Sequence, residues 1–194
     1  MSPATPAPAD LDADQRELYD AITGGARSTG VQHFELTDTA GRLHGPFGLM
    51  LHVPRVGMPL QALGSALRFE TELTAREREI AILTVARIAD SPFERYAHNA
   101  VGAAVGLTPD ELAALEAGTF AGQDPREDAV AALAARLTDT ATVRPDDLDS
   151  GLPHQLVLEV TAMAGYYRLL AQMMGLFDVG VPPLADDGSE VKES

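Results

Sequence analysis

The chain has 194 residues, 45% of them hydrophobic but only 5% aromatic, and a formal net charge of −15. That fits one globular domain with tails, and the abundance of Ala and Leu leans it towards helix. Cysteine is absent, which excludes disulfides, thiolate metal centres, iron–sulfur clusters and cysteine nucleophiles, and so acidic a surface argues against nucleic acid and anionic membranes as partners.

Residues 1–9 are rich in Pro and Ala and read as disordered. The start has neither a basic n-region nor an apolar h-region, so no signal peptide is expected and the cytoplasm is the expected location. A first helix is predicted over about 10–23, stopped by Gly24 and Gly25. Residues 28–47 are less regular, with His33 to Leu36 a short strand or an extended connection. Gly and Pro at both ends of 42–54 suggest a structured loop around one helical turn, and a helix over about 58–70 follows. Thr74 and Glu77 have capping-box spacing, so a helix starts there. Its body, Ile80 to Ile88, is apolar almost all round, as in a central buried helix. Ala89-Asp90 ends it. Ser91, Pro92 and Glu94 repeat the start signal with a second capping box, and Phe93, Ala97, Ala100, Val101 and Ala104 form one apolar stripe up to Gly106. Thr108-Pro109 opens a short helix ending near Gly118. Asp124-Pro125 opens another, to about Leu137. Pro145 to Leu148 can start a short one. The last helix runs from about Pro153 to Gly175; Arg168 interrupts its apolar run, so it reads as buried rather than membrane-spanning. The tail 185–194 reads as disordered. The expected architecture is all-α: a compact multi-helix bundle forming one domain over 10–184, with a core hairpin at 74–106.

The residues with chemical potential are Glu79, Ser91, Glu94 and His98. Glu94 and His98 are four apart and share one side of their helix, flanking the apolar stripe. A carboxylate beside an imidazole fixes its tautomer and raises its pKa, so the pair can move a proton to or from a substrate. Glu79, early in the preceding helix, can serve as a second carboxylate if the turn at 89–91 returns the chain. Structural readings compete. Glu94 is explained as a capping residue, Glu94–His98 as an exposed pair worth about 0.2–0.5 kcal/mol, and Glu79 as a solvated carboxylate near a helix N-terminus. His44, His52 and Arg55 bracket a loop that either lines a pocket for an acidic substrate or lies on the surface. Of Tyr166 and Tyr167, one is expected in the core and the other half-exposed. Met163, Met173 and Met174 read as core filler, and His33 and His154 have no partner at ligand spacing. There is no HExxH, P-loop, dinucleotide fingerprint or GxSxG, and neither a metal nor a cofactor is expected.

The stretch from Glu79 to Gly118 resembles the core helical hairpin of the carboxymuconolactone decarboxylase-like, alkylhydroperoxidase-D-like superfamily. It shares an apolar helix opened by Glu, a helix carrying His98, a small-residue run closing in Gly106-Leu107-Thr108 and a following Glu-rich helix. Gly45-Pro46-Phe47 and Gly165-Tyr166-Tyr167 resemble flanks of longer members. In the peroxidase branch the pattern is Glu, eleven residues, Cys-x-x-Cys, three residues, His. Ser91 and Glu94 stand at the two cysteine positions while Glu79 and His98 match, so thiol peroxidase chemistry is lost. Glu94-x-x-x-His98 is similar to the decarboxylase branch, which implies a cofactor-independent lyase or isomerase for a small lactone or keto acid. On that reading His98 gives or takes the proton, Glu94 orients it, Glu79 assists, and Ser91, His52 and Tyr166 contact the substrate. The resemblance also implies a homo-oligomer, a trimer or hexamer. The alternatives are a non-catalytic oligomeric binding or scaffold protein, whose Glu94 and His98 would be solvated, and a thiol-independent peroxidase-like enzyme.

Overall fold

Side chains cap the starts of four of the helices among the described residues. The computed structural model describes residues 3–24, 33–140, 142–144 and 150–182. Among them lie helices α1 (Ala13–Thr23), α2 (Gly45–Met50), α3 (Pro54–Phe69), α4 (Ala75–Ile88), α5 (Pro92–Ala104), α6 (Pro109–Ala117), α7 (Pro125–Asp139) and α8 (His154–Leu176). Asp12, Thr74 and Thr108 each accept a hydrogen bond from the backbone N–H three residues on. Gln15, Glu77 and Glu111 each reach back to the cap's own N–H, so donors otherwise orphaned at the start of α1, α4 and α6 are satisfied. Asp124 caps α7 by accepting from the N–H groups of Arg126 and Glu127.

The fold is all-α. The one departure among the described residues is an isolated antiparallel bridge, Thr37 to Leu43, so His33 to Leu36 is an extended connection and no strand. At the N-terminus, Pro8–Asp10 form a turn of 3₁₀ helix, and the Thr5 side chain lies against Gly48. Pro145 to Leu148 and the tail 185–194 fall outside the described residues.

α4 is the hub, packing against α5, α6, α7 and α8. Ile80, Ala81, Ile82, Leu83, Val85 and Ala86 are all buried, on every side of the helix, which is why the run is apolar without a polar face. Arg76 ties the start of α4 to its neighbours: its Nε donates to Glu127 of α7 (2.8 Å) and its Nη2 to Glu111 of α6 (2.9 Å). The same guanidinium, with the Thr108 backbone N–H, holds the Glu111 carboxyl down at about 2.

Three sequence expectations need correction. α3 begins at Pro54, four residues before the predicted start, because Pro54 occupies the first turn, where a missing N–H costs nothing. Ala104, placed on the α5 stripe, is exposed, leaving Phe93, Ala97 and Val101 buried. Ser91 is the N-cap of α5 but its side chain makes no capping hydrogen bond. The second capping box does not form, because the Glu94 side chain turns towards His98.

Candidate functional site

The α4–α5 turn decides whether the acidic and imidazole groups meet. Ala89 closes α4, Asp90 takes a left-handed conformation with φ 47°, and the Ser91 N–H donates back to the Ala86 carbonyl at 2.9 Å. This tight reversal sends α5 back along α4. The Asp90 side chain also pairs with Arg95 at 3.0 Å. The start of α4 therefore lies beside the second turn of α5, and Glu79 faces His98.

His98 sits between two carboxylates. Its Nδ1 is 2.6 Å from Glu79 Oε2, and its Nε2 is 3.3 Å from Glu94 Oε2. All three side chains are buried, so the readings of a solvated Glu79 and an exposed Glu94–His98 pair are excluded by placement. Burial pushes the imidazole pKa down, but the charge of Glu79 and the hydrogen bonds to Glu79 and Glu94 outweigh it and lift the value to about 9. Near neutrality the group is an imidazolium flanked by acids, with both ring N–H groups engaged.

Two buried polar atoms here lack a hydrogen-bond partner among the described residues: Ser91 Oγ and Glu94 Oε1. A buried acceptor left without a donor costs about 1–3 kcal/mol. Glu94 and His98 line a partly enclosed cleft of about 20 Å³, walled by Phe47, Phe93, Tyr166, Tyr167 and Arg68. That space holds roughly one water. The Tyr167 ring meets the His98 ring edge-on at 5.2 Å, and Tyr166 meets Tyr167 likewise at 5.3 Å.

The structure thus brings Glu79, Glu94, His98 and Tyr166 together. Ser91 is close in sequence and buried, but it does not line the cleft. His52 is not there at all. Once α2 has buried all six of its residues the chain turns outward, leaving His52 exposed and Arg55 in an exposed ion pair with Asp14. His44 is the N-cap of α2 and lines a different hollow, near Thr5 and Pro182. Both tyrosines are buried, contrary to the expected split. Sequence reasoning missed Tyr167 as a cleft wall and Arg68 altogether. Arg68 lies in the last turn of α3, where a cation commonly serves the helix dipole, so nothing in its position singled it out. Among the described residues no three His, Asp or Glu side chains converge in a way that could hold a metal ion, and no helix is long and apolar enough to cross a membrane.

Residues 54–136 match the model of the Carboxymuconolactone decarboxylase family. Among solved structures, the chain is similar to an alkylhydroperoxidase AhpD core, an uncharacterized peroxidase-related protein from Ralstonia eutropha JMP134. The two share 18% identity over 93% of this chain and 92% of that one, with a TM-score of 0.73; at that identity the likeness speaks for the fold. No curated protein sequence matches the chain.

Proposed function

We propose that this chain is a member of the carboxymuconolactone decarboxylase-like, alkylhydroperoxidase-D-like superfamily, a reading supported by the family-model match over residues 54–136 and by the shared fold, and that it is a cofactor-independent lyase or isomerase acting on a small lactone or keto acid. The observation that carries the reading is the buried Glu79–His98–Glu94 chain, whose last member lines a cleft and keeps one oxygen, Oε1, without a partner among the described residues. The scaffold reading expected Glu94 and His98 to be solvated, whereas both are buried. With no cysteine in the chain, a thiol peroxidase has nothing to oxidise.

The geometry favours a different division of labour from the one the motif alone implies. Both nitrogens of His98 are occupied, whereas Glu94 has an oxygen to spare. Glu94 then exchanges the proton with substrate, His98 balances its charge, and Glu79 fixes the ring. In a decarboxylation, the electrons of the breaking C–C bond pass into the conjugated carbonyl as carbon dioxide leaves. The resulting enolate carbon takes a proton from the Glu94–His98 pair, and solvent returns it. In an isomerisation the same oxygen removes a proton from one carbon and delivers it to another. A cleft of about 20 Å³ must widen to admit either substrate. Phe34 and Arg68 are half-buried where the other walls are buried, so these two are the walls expected to yield.

The test follows carbon dioxide release and solvent-deuterium incorporation next to the carbonyl, over a panel of carboxylated lactones and keto acids. Glu94→Gln and His98→Gln should each lower turnover by about 10²-fold or more. Turnover untouched by both, in folded protein, removes the pair from the mechanism.

The homo-oligomer belongs to the same reading, and α8 supplies its surface. Leu158, Ala162, Gly165, Leu169, Gln172 and Leu176 are all exposed, at alternating spacings of four and three. They lie on the side of α8 opposite the buried Val160, Met163, Tyr167, Leu170 and Met174. Such a stripe is the seam along which two helices pack. Run antiparallel against a second copy, it sets Leu158 opposite Leu176 and places Leu169 over Gly165, where open space surrounds the missing Cβ. That is a two-fold, self-complementary contact, which fits the hexamer of the expected trimer or hexamer and also a dimer, whereas a cyclic trimer alone would not use it.

A further inference from the structure

A second hollow, sharing no lining residue with the His98 cleft, lies between α4, α6 and α7. Its volume is about 250 Å³, and its walls are Thr84, Leu115, Phe120, Ala131, Ala132 and Ala135, with Arg87 and Asp128 as the charged groups. That is well above the roughly 10–15 Å³ that holds one water and just under the roughly 300 Å³ at which pockets take drug-sized ligands.

Arg87 is out of keeping with its surroundings. The chain carries 29 acidic residues against 14 basic ones, yet Arg87 forms no ion pair among the described residues, and its buried Nε has no acceptor there. The guanidinium is nonetheless held in place. It lies flat against Gly118, whose φ of +73° ends α6; a Cβ there would sit 3.0 Å from Cζ and 3.1 Å from Nη1 of Arg87. Gly118 thus provides both the left-handed cap and the room for Arg87. Arg87 lines the hollow with atoms other than its buried Nε, and a guanidinium without an ion pair there is a fork suited to a planar acceptor.

We propose that this hollow is a binding site for a small monocarboxylate, its carboxylate on Arg87 and its short apolar body on Leu115, Phe120 and the α7 alanines. Asp128 narrows the choice of anion. Its carboxylate also lines the hollow while accepting a hydrogen bond from the Gly122 N–H at 2.7 Å, and a second negative charge on the ligand, as on a phosphate dianion, is repelled. The α7 alanines leave space that larger side chains would fill.

The probes are benzoate and isobutyrate, with benzamide as the neutral control, titrated into the full chain by calorimetry. At least one acid should bind saturably and benzamide should not. Arg87→Gln should weaken binding by about tenfold or more. Ala132→Phe, at an exposed position that cannot disturb the core, should block it by filling the hollow. His98→Gln should leave it unchanged, which separates this site from the proposed catalytic one. The proposal is overturned if neither acid binds, if benzamide binds as well as benzoate, if either Arg87→Gln or Ala132→Phe leaves the affinity intact, or if His98→Gln abolishes binding.

Discussion

Glu79 and Glu94 touch the same imidazole, but they are not equivalent. Glu79 is at 2.6 Å from a buried ring, and Glu94 at 3.3 Å with its other oxygen idle. Removing the closer charge strands a buried cation, which costs about 3–5 kcal/mol. Glu79→Gln should therefore lose that much stability in urea denaturation and lower the His98 pKa from about 9, read from imidazole proton shifts by NMR. Glu94→Gln should cost less stability, since it removes the longer contact and one unsatisfied acceptor, while losing more turnover. A Glu94→Gln variant less stable than Glu79→Gln would contradict this division. The pH dependence follows in sign. The native state holds the His98 proton more tightly than an unfolded chain does, its value near 9 lying above the ordinary 6.5. The stabilisation is complete below 6.5 and is lost as pH rises through about 9. Unfolding free energy measured at steps from about pH 6 to about pH 10 should fall across that window, and in His98→Gln that part of the fall should vanish.

Among the elements, α2 is short, and it walls the cleft with Pro46 and Phe47. All six of its residues are buried, and Gly45 adopts φ +60° with the Phe93 ring where a side chain would be: a Cβ would come within 2.2 Å of Cζ. Gly45→Ala therefore meets backbone strain and a steric clash at once. It should cost about 2–4 kcal/mol and, by displacing Phe93, weaken ligand binding at the cleft, both measurable by denaturation and titration. A loss under about 0.5 kcal/mol would show that Phe93 moves aside freely. The same elements explain what could be read in the sequence. Thr74 with Glu77 and Thr108 with Glu111 have local chemistry and local partners, so spacing alone located α4 and α6. Ser91 and Glu94 have the same spacing, yet the box is absent because Glu94 has a better partner in His98 on its own helix, inside the core. That competition depends on burial, which local spacing does not encode. Arg68 and Tyr167 reach the cleft through the packing of α3 and α8, whose sequence separation leaves no periodic trace. His52 failed for the converse reason: its neighbours Gly45 to Met50 are buried, and proximity along the chain suggested a shared pocket that the outward turn after Leu51 removes.

At the scale of the whole molecule, the stripe on α8 is the feature the isolated chain leaves unsatisfied. Leu158 is 70% exposed, Leu176 80% and Leu169 42%, and burying each fully is worth about 1.5–3 kcal/mol. A net charge of −15 opposes association through long-range repulsion, so the contact should tighten as salt screens it. Sedimentation velocity should find wild-type protein associated at micromolar concentration, more so at about 0.5 M salt than at about 0.05 M. Leu169→Asp should dissociate it. Gly165→Leu gives the sharper result, because the two scales move in opposite directions. Within one chain the new side chain meets open space and replaces a poor helix former, raising helix stability by about 0.5–1 kcal/mol. Across the two-fold contact it occupies the place of Leu169 from the second copy. A variant that is more stable yet monomeric therefore identifies this stripe as the interface. A Gly165→Leu protein that keeps the wild-type assembly, or a wild type that stays monomeric at both salts, would rule it out.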